Sequence, residues 1–181
     1  MNREEALTLV QAKVKNRNLI KHMLAAEACM GRLAEHFGED KNLWGMAGLL
    51  HDLDYDETVN DFQRHGLVTA EILKEHNLEE KIIYCIKAHP GHVEAKSKMD
   101  KALYAVDPLT GLIVASALMH PSKKLKQVDV QFVLNRFGEK RFAAGANREQ
   151  IKSCEQFGLG LEDFIKLCLE AMQGIDVELG L

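Results

Sequence analysis

"NLIKHMLAAEACMGRLAEHF", residues 18–37, repeats its apolar side chains at intervals of three and four residues. This spacing places them on one face of an α-helix, and charged residues occupy the opposite face. Gly38 follows directly, and glycine is common after the last turn of a helix because it accepts a left-handed backbone. The stretch therefore predicts a long amphipathic helix that ends at Gly38 and buries one face.

The remainder of the chain has the same helical spacing and no strand-like alternation of any length. Asn2 followed by Glu5 is the pattern of a capping box and predicts a first helix, and Asp40 can cap a helix that runs to His51. Residues 53–60 are acidic and polar, which predicts a loop. Further helices are expected over residues 61–76, 78–89, 128–136, 147–156 and 161–173, and as two pieces around Asp107-Pro108. The predicted fold class is therefore all-α, a single-domain helical bundle.

Composition and charge limit the classes of function. The chain has 181 residues, of which 46% are hydrophobic, and this suits one domain with a real core. Its net charge of −4 disfavours a nucleic acid polymer as a partner, because proteins that bind through phosphate contacts are usually basic. A small anionic substrate is compatible with this charge, since only the local charge matters for it.

Several features favour a cytoplasmic protein without a membrane partner. The cysteines, Cys29, Cys85, Cys154 and Cys168, have no CxxC spacing and lie among apolar neighbours, as in a reducing compartment. Residues 1–18 carry charge throughout and contain no signal-peptide core. The most apolar stretch, residues 102–119, is interrupted by Asp107 and Pro108, which favours a buried helix pair over a membrane span. This stretch and the C-terminal helices suit either the core or the face of a homodimer.

Three histidines and one aspartate lie on apolar faces of four separate predicted helices: His22, His51, His89 and Asp107. A lone inward histidine is usually a hydrogen-bonded core residue, but an inward aspartate needs a positive partner. No lysine or arginine shares the helix face that carries Asp107. A divalent cation would satisfy all four side chains, and Asp52 beside His51 supplies a second carboxylate. Histidine and aspartate without cysteine suit Fe, Mn, Zn, Ni or Co more than a structural zinc site.

The ordered set His22, His51-Asp52 and Asp107 resembles the signature of the HD superfamily of metal-dependent phosphohydrolases. The segments NLIKHMLAAEACM, GLLHDLDYD, HGLVTAEIL and DPLTGLIVA resemble its HDIG-type branch, although the string reads HDLD here. A bare His-Asp pair is a weak signal, whereas the ordered set with these flanks is specific. The family fold is all-α. We expect one HD domain over residues 1–181, with a metal-site core at about 15–120 and a C-terminal helical extension at about 121–181.

The resemblance implies one or two divalent metal ions, with Fe, Mn, Zn, Ni, Co and Mg as the candidates. The first ion would take the set His22, His51, Asp52 and Asp107. The second would take His65 and His89, with Asp52 as a bridge, because many two-metal relatives add one histidine in an HG context and one at a helix end. His92 could substitute for His89 or face the substrate.

The implied reaction is hydrolysis of a small phosphate ester, a nucleotide or related metabolite, by a hydroxide that the metal generates at neutral pH. The substrate could be a phosphomonoester or a phosphodiester. Asp52 would bridge the two metal ions and orient the reacting groups between them. Asp54 and His92 are candidates for the acid that protonates the leaving group, although Asp54 could equally orient a ligand imidazole. Arg17 and Arg64 are candidates for binding the phosphate of the substrate.

Two other interpretations stay open. In one, a metal stabilises a non-catalytic helical module that binds a signal or a partner protein. In the other, a di-iron site makes the protein an oxygenase, as in some HD relatives. The intact ligand set disfavours the first, since a purely structural site needs no open coordination position. The acidic run of Asp54, Asp56 and Glu57 argues against a large polyanion at this edge of the site.

Overall fold

The computed structural model describes residues 1–181, and every regular element in it is helical. This confirms the all-α fold class. The α-helices are α1 (Arg3–Lys13), α2 (Arg17–Phe37), α3 (Lys41–Leu50), α4 (Tyr55–Thr58), α5 (Leu67–Lys74), α6 (Glu80–Ala88), α7 (Lys98–Met119), α8 (Val130–Gly138), α9 (Arg148–Lys152), α10 (Leu161–Gln173) and α11 (Asp176–Leu179). Two short 3-10 helices, Leu125–Gln127 and Ser153–Phe157, complete the chain.

Capping residues begin and end the first helices where the sequence predicts. The Asn2 side chain accepts a hydrogen bond from Glu5 N at 2.9 Å, and the Glu5 carboxylate accepts one from Asn2 N. Asp40 accepts bonds from two N–H groups in the first turn of α3. These N–H groups have no partner within their own helix, so the caps satisfy them. Gly38 ends α2 in the left-handed conformation, with a φ of 70°.

The segment between α3 and α5 differs from the prediction. The loop predicted over residues 53–60 contains the short helix α4, and the helix predicted over 61–76 begins only at Leu67. The acidic side chains in the first turn of α4 suit the positive end of a helix. Residues 62–66 form turns that end at Gly66, whose φ of 74° interrupts a helix and favours glycine.

The two helical pieces predicted around Asp107-Pro108 are one continuous helix, α7, with Pro108 in its interior. Proline lacks the N–H that would bond to the carbonyl of Tyr104, four residues earlier. The side chain of Gln150, on α9, supplies the missing donor, because its Nε2 lies 2.7 Å from the Tyr104 carbonyl oxygen. The prediction was wrong here because the compensating donor comes from a distant part of the chain.

Helices α2 and α7 form the centre of the bundle. Helix α2 packs against α3, α7 and α10, and α7 also contacts α6, α8 and α9. All four cysteines are buried free thiols. By length and composition alone, α7 could cross a membrane, but 56% of its most apolar window is buried inside the protein. The core helix of a helical bundle has the same property, so this apolar stretch is weak evidence for a membrane span.

Helices α2 and α3 approach each other closely at Gly48. A Cβ atom at this position would lie 2.6 Å from the Ala26 carbonyl oxygen and 2.8 Å from Glu27 N, both in the backbone of α2. The glycine therefore allows close packing of the two helices that position His22 and His51. Gly45, one turn earlier on α3, has more room, since its nearest contact would be the Glu27 side chain at 3.6 Å.

We expect Gly48→Ala to lower the free energy of unfolding by about 1–3 kcal/mol, the usual cost of overpacking. Gly45→Ala should be neutral or stabilise by up to about 1 kcal/mol, because it removes a helix-interior glycine without a clash. Urea unfolding followed by circular dichroism measures both variants. Equal effects at the two positions would contradict the inference that α2 and α3 need the close approach at Gly48.

Gln150→Ala should lower the free energy of unfolding by about 1 kcal/mol, because the Tyr104 carbonyl loses its donor. In a Pro108→Ala background the same change should cost little, since the restored N–H of residue 108 then reaches Tyr104. Gln131→Ala, at an exposed position of α8, controls for the loss of a glutamine side chain. An identical cost of Gln150→Ala in both backgrounds would refute this compensation.

Candidate metal centre

His22, His51 and Asp107 converge from three helices. His22 lies on α2, His51 directly follows α3, and Asp107 lies in the middle of α7. The Nε2 atoms of His22 and His51 are 3.1 Å apart. Asp107 Oδ1 lies 3.2 Å from His22 Nε2 and 3.9 Å from His51 Nε2. These three donor atoms are close enough to one another to hold one metal ion.

His65 and His89 form a second group that shares Asp52 with the first. His65 lies in the turns before α5, His89 directly follows α6, and their Nε2 atoms are 3.0 Å apart. Asp52 Oδ1 lies 3.3 Å from His65 Nε2 and 3.5 Å from both His89 Nε2 and His51 Nε2. Asp52 Oδ2 lies 3.5 Å from His22 Nε2. The structure thus brings together all six residues proposed as metal ligands, with Asp52 between the two groups.

The ends of two helices orient two of the imidazoles. His51 and His89 each follow the last turn of a helix, and each directs Nδ1 to the carbonyl oxygen three residues earlier. These acceptors are Gly48 at 2.8 Å and Ile86 at 2.6 Å. The last carbonyls of a helix have no partner within it. The same local geometry therefore satisfies a free carbonyl and turns Nε2 toward Asp52.

Side chains orient the other two imidazoles. Asp54 Oδ1 lies 2.9 Å from His65 Nδ1, and Thr110 Oγ1 lies 2.9 Å from His22 Nδ1. The Thr110 hydroxyl donates its own proton to the Asp107 carbonyl at 2.8 Å. Its oxygen is therefore the acceptor for His22 Nδ1–H. In this arrangement all four histidines donate from Nδ1, away from the centre.

An Nδ1 that donates a hydrogen bond leaves a lone pair on the Nε2 of a neutral imidazole. In both histidine pairs, two such lone pairs face each other at 3.1 Å and 3.0 Å beside carboxylate oxygens. This arrangement is repulsive unless a metal ion lies among the donors or one imidazole of each pair takes up a second proton. Imidazole nitrogen and carboxylate oxygen are suitable donors for Fe, Mn, Zn, Ni and Co. The residues therefore fit a divalent metal, and the outward bonds of Nδ1 are those that metal-binding histidines usually make.

The centre is buried on one side and open on the other. The side chains of His51 and Asp52 are 0% and 7% exposed, whereas those of His22 and Asp107 are 22% and 33% exposed. Burial lowers the pKa of His51 to about 4, so its imidazole is neutral at pH 7. Burial raises the pKa of Asp52, but the neighbouring imidazoles lower it further, and the carboxyl stays ionised.

His22 and His65 are the two histidines of the centre whose pKa is raised. Burial lowers the pKa of each, but the hydrogen bonds with Asp107 and Asp54 and the charge of nearby carboxylates raise it above its ordinary value. A proton therefore competes with a cation for these two side chains, and binding of a cation by this centre is expected to weaken as the pH falls.

The residues predicted to protonate a leaving group have defined partners. The buried Asp54 carboxylate accepts bonds from His65 Nδ1 and Thr69 N, both at 2.9 Å. Burial raises the pKa of Asp54, but these bonds lower it further, so the group carries no proton to donate at pH 7. This geometry matches the orienting role and not that of an acid. The Nε2–H of His92 donates to the His65 carbonyl at 2.8 Å, and its Nδ1 has no protein partner.

The two arginines predicted to bind phosphate lie on the surface. The Arg64 side chain is 55% exposed and pairs with Glu57 at 3.2 Å. Arg17 is exposed in the first turn of α2. Neither guanidinium forms a hydrogen bond or ion pair with the six residues of the centre.

Sequence reasoning named Asp54 as a residue that could orient a ligand imidazole, but it missed the other groups that orient the imidazoles. Thr110 could have been found, because it lies three residues after Asp107 on the same helix and therefore on the same face. Gly48 and Ile86 act through backbone carbonyls, and Thr69 acts through its N–H. The identity of a side chain carries no signal for such contacts.

Comparison with known proteins places this geometry in a family. The HD domain family model matches residues 19–125. Ribonuclease Y of Desulfotalea psychrophila is 26% identical over 135 residues, which are 73% of this chain and 26% of that protein. Ribonuclease Y of Helicobacter pylori is 30% identical over 112 residues, 59% of this chain and 21% of that protein. Ribonuclease Y of Campylobacter jejuni is 36% identical over 94 residues, which are 51% of this chain and 18% of that protein. No solved structure matches the chain.

These relatives are much longer proteins, and each match spans about a quarter of the relative or less. The family model, by contrast, matches more than half of this chain and includes the six residues of the centre. It confirms the resemblance carried by His22, His51-Asp52 and Asp107. The chain belongs to the HD domain family of metal-dependent phosphohydrolases.

Proposed function

We propose that this chain hydrolyses a small phosphate ester, a nucleotide or related metabolite, with the help of one or two divalent metal ions. The observation that carries the proposal is that Nε2 atoms face each other in two histidine pairs beside one carboxylate. The two Nε2 atoms are 3.1 Å apart in the first pair and 3.0 Å apart in the second. Each imidazole is held in this orientation by an acceptor at its Nδ1. Such a preorganised set of donors is costly to assemble unless a cation binds it.

In this proposal, the two groups of donors hold separate ions. His22, His51 and Asp107 hold the first together with Asp52, which also contributes to the second with His65 and His89. Fe, Mn, Zn, Ni, Co and Mg are all candidates. Bound divalent ions supply Lewis acidity toward a phosphoryl oxygen and make water a nucleophile at neutral pH.

The remaining residues position groups and move protons. We assign Asp54 as a positioning residue, because its carboxylate holds His65 Nδ1 and is itself fixed by Thr69 N. His92 is the better candidate for the acid that protonates the leaving group. Its Nε2–H fixes the ring against the His65 carbonyl, and its unbonded Nδ1 would give up the second proton of the imidazolium form. Arg64 stays a candidate for binding phosphate, because its ion pair with Glu57 is exposed and therefore weak.

The partial exposure of His22 and Asp107 supports an enzyme over a structural module. A structural metal site is usually closed by its protein ligands, whereas a catalytic site keeps a position open to substrate. The open edge lies where the first group of donors meets solvent. No observation in the structure favours the oxygenase interpretation.

A second candidate substrate is an RNA phosphodiester, and the three relatives named ribonuclease Y favour it. The chain's net charge of −4 and the exposed carboxylates of Asp56 and Glu57 disfavour a long polyanion. We therefore place the small phosphate ester first.

We further propose that the reaction takes place in the cytoplasm, within one HD domain whose metal-site core spans about residues 15–120 and whose C-terminal extension spans about 121–181. The four buried free thiols support a reducing compartment. Helices α8 and α10 of the extension pack against α7, which carries Asp107, so the extension supports the core.

Asp52→Asn should remove bound metal and activity together, because Asp52 lies between both groups of donors. We expect the loss of at least one metal ion per chain and a fall of about 100-fold or more in kcat/KM. Elemental analysis of protein purified without chelator gives the metal content. Hydrolysis of p-nitrophenyl phosphate and bis(p-nitrophenyl) phosphate with added Mn²⁺ or Fe²⁺ separates a monoesterase from a diesterase. His36→Ala, at an exposed position of α2, is the matched control and should keep both properties.

The same experiment separates the competing functions. Metal that is retained by the parent protein without hydrolysis of any ester would support the structural module. A product that forms only in the presence of oxygen would support the oxygenase. The absence of bound metal, with none taken up on titration, would refute the proposed function.

Asp54→Asn should weaken Mn²⁺ binding about tenfold at alkaline pH, because an imidazole without its carboxylate partner is a poorer ligand. The midpoint of Mn²⁺ uptake should also move to lower pH. Asp54 raises the pKa of His65, so its removal lets His65 lose its proton at a lower pH. Calorimetric titration at several pH values measures both effects. Asp61→Asn, at an exposed carboxylate nearby, should change neither, and equal effects of the two variants would argue against the positioning role.

A further inference from the structure

Four large apolar side chains on the segment around His65, residues 55–67, are exposed to solvent. Tyr55, Val59, Phe62 and Leu67 are 39%, 54%, 60% and 38% exposed. They lie on α4, at the start of α5 and in the turns between these helices. We name this group the aromatic rim. Exposed aromatic residues that cluster beside a site point to a ligand that covers them.

The two rings of the rim contact His65 directly. The Tyr55 and His65 ring centroids are 5.3 Å apart at an interplanar angle of 80°, and those of Phe62 and His65 are 5.5 Å apart at 41°. His65 Nε2 lies 3.3 Å from Asp52 Oδ1, within the centre. The rim therefore packs directly against one imidazole of the centre.

The turns hold Phe62 in place relative to the centre. Phe62 accepts a backbone bond from His65 N at 3.2 Å, and Asp61 accepts one from Arg64 N at 3.0 Å. The His65 ring is fixed in turn by Asp54. A Phe side chain has few rotatable bonds, so little conformational entropy is lost when a flat ligand covers it.

The charges around the rim favour a neutral ring over a further anionic group. Asp56, Glu57 and Asp61 are exposed beside it, and together they outnumber the cation Arg64 on the same segment. Carboxylates at this position would repel the additional phosphates of a polyphosphate chain. They do not repel an uncharged nucleobase, and any of the bases can stack its face on an aromatic ring.

We propose that the aromatic rim is the nucleobase subsite of this enzyme, with the base of the substrate stacked on Phe62 and bordered by Tyr55. The inference rests on the proposed phosphohydrolase function and names its substrate class, an ester in which a base-bearing nucleoside carries the scissile phosphate. A mononucleotide and a single-stranded RNA both contain this unit. In either case the phosphate lies at the metal centre and the base lies on the rim.

The first test compares two substrates that differ by the base alone. For Mn²⁺-loaded protein, the ratio of kcat/KM for adenosine 5′-monophosphate to that for ribose 5-phosphate should fall about tenfold in Phe62→Leu. The fall should come from KM for the nucleotide. Leucine keeps an apolar side chain, so this variant separates stacking from simple burial. Leu118→Ala, an exposed apolar position on α7, should leave the ratio unchanged. An unchanged ratio in Phe62→Leu would overturn the proposal.

The second test does not need turnover. In Phe62→Trp, saturable quenching of tryptophan fluorescence by adenosine 5′-monophosphate would report stacking, and the parent protein supplies the background because Trp44 is 3% exposed. Quenching without hydrolysis of any ester would support the subsite while the proposed reaction fails. The absence of quenching in a variant that still hydrolyses phosphate esters would overturn the subsite alone.

The same variant distinguishes the two sources of the base. Quenching by a short single-stranded oligoribonucleotide at much lower concentration than by the mononucleotide would support the subsite and identify an RNA strand as its occupant. Equal or weaker quenching by the oligoribonucleotide would support the subsite and identify a free nucleotide. Quenching by ribose 5-phosphate to the same extent as by the nucleotide would overturn stacking of a base.

Discussion

The buried carboxylate of Asp52 is the group on which the arrangement of the centre depends. Its side chain is 7% exposed, and all four imidazole Nε2 atoms of the centre lie 3.3–3.5 Å from one of its oxygens. An ionised carboxylate at this depth is unstable without positive partners. Two helices, α2 and α7, and the three segments that follow α3, α4 and α6 must therefore bring their histidines and Asp107 to one point. The bundle is built around that requirement as much as around its apolar core.

The centre uses the ends of helices as well as their faces. His51 and His89 lie just beyond α3 and α6, where free carbonyls three residues earlier accept from Nδ1. A histidine within a helix would find those carbonyls already bonded. His22, which does lie within a helix, needs the hydroxyl of Thr110 from α7 instead. The two solutions give the same result, an Nδ1 that donates outward and an Nε2 that faces the centre.

One side of the site is closed to solvent and another side is partly open. The His51–Asp52 side is sealed by α2 and α3, whose close contact at Gly48 excludes any side chain from that position. The His22–Asp107 side is partly open, and the aromatic rim lies against His65 on a third side. A buried His51–Asp52 side next to an exposed aromatic rim is suited to a substrate with one charged end and one flat apolar end. The acidic residues around the rim agree with a substrate whose negative charge is confined to the phosphate.

The sequence by itself determined the helical architecture, which depends on local periodicity. It also predicted the six residues of the centre: four from apolar helix faces, Asp52 from its place beside His51, and His65 from the family resemblance. The spacing of residues 18–37 specifies a helix, and an aspartate on an apolar face at position 107 demands a cation. Only the tertiary structure decided what depends on contacts between distant residues. The continuity of α7 through Pro108 requires Gln150 from another helix, and the role of Asp54 follows from its contact with His65. Such contacts join groups far apart in the chain, and several of them use the backbone, which is the same at every position and leaves no trace in the sequence.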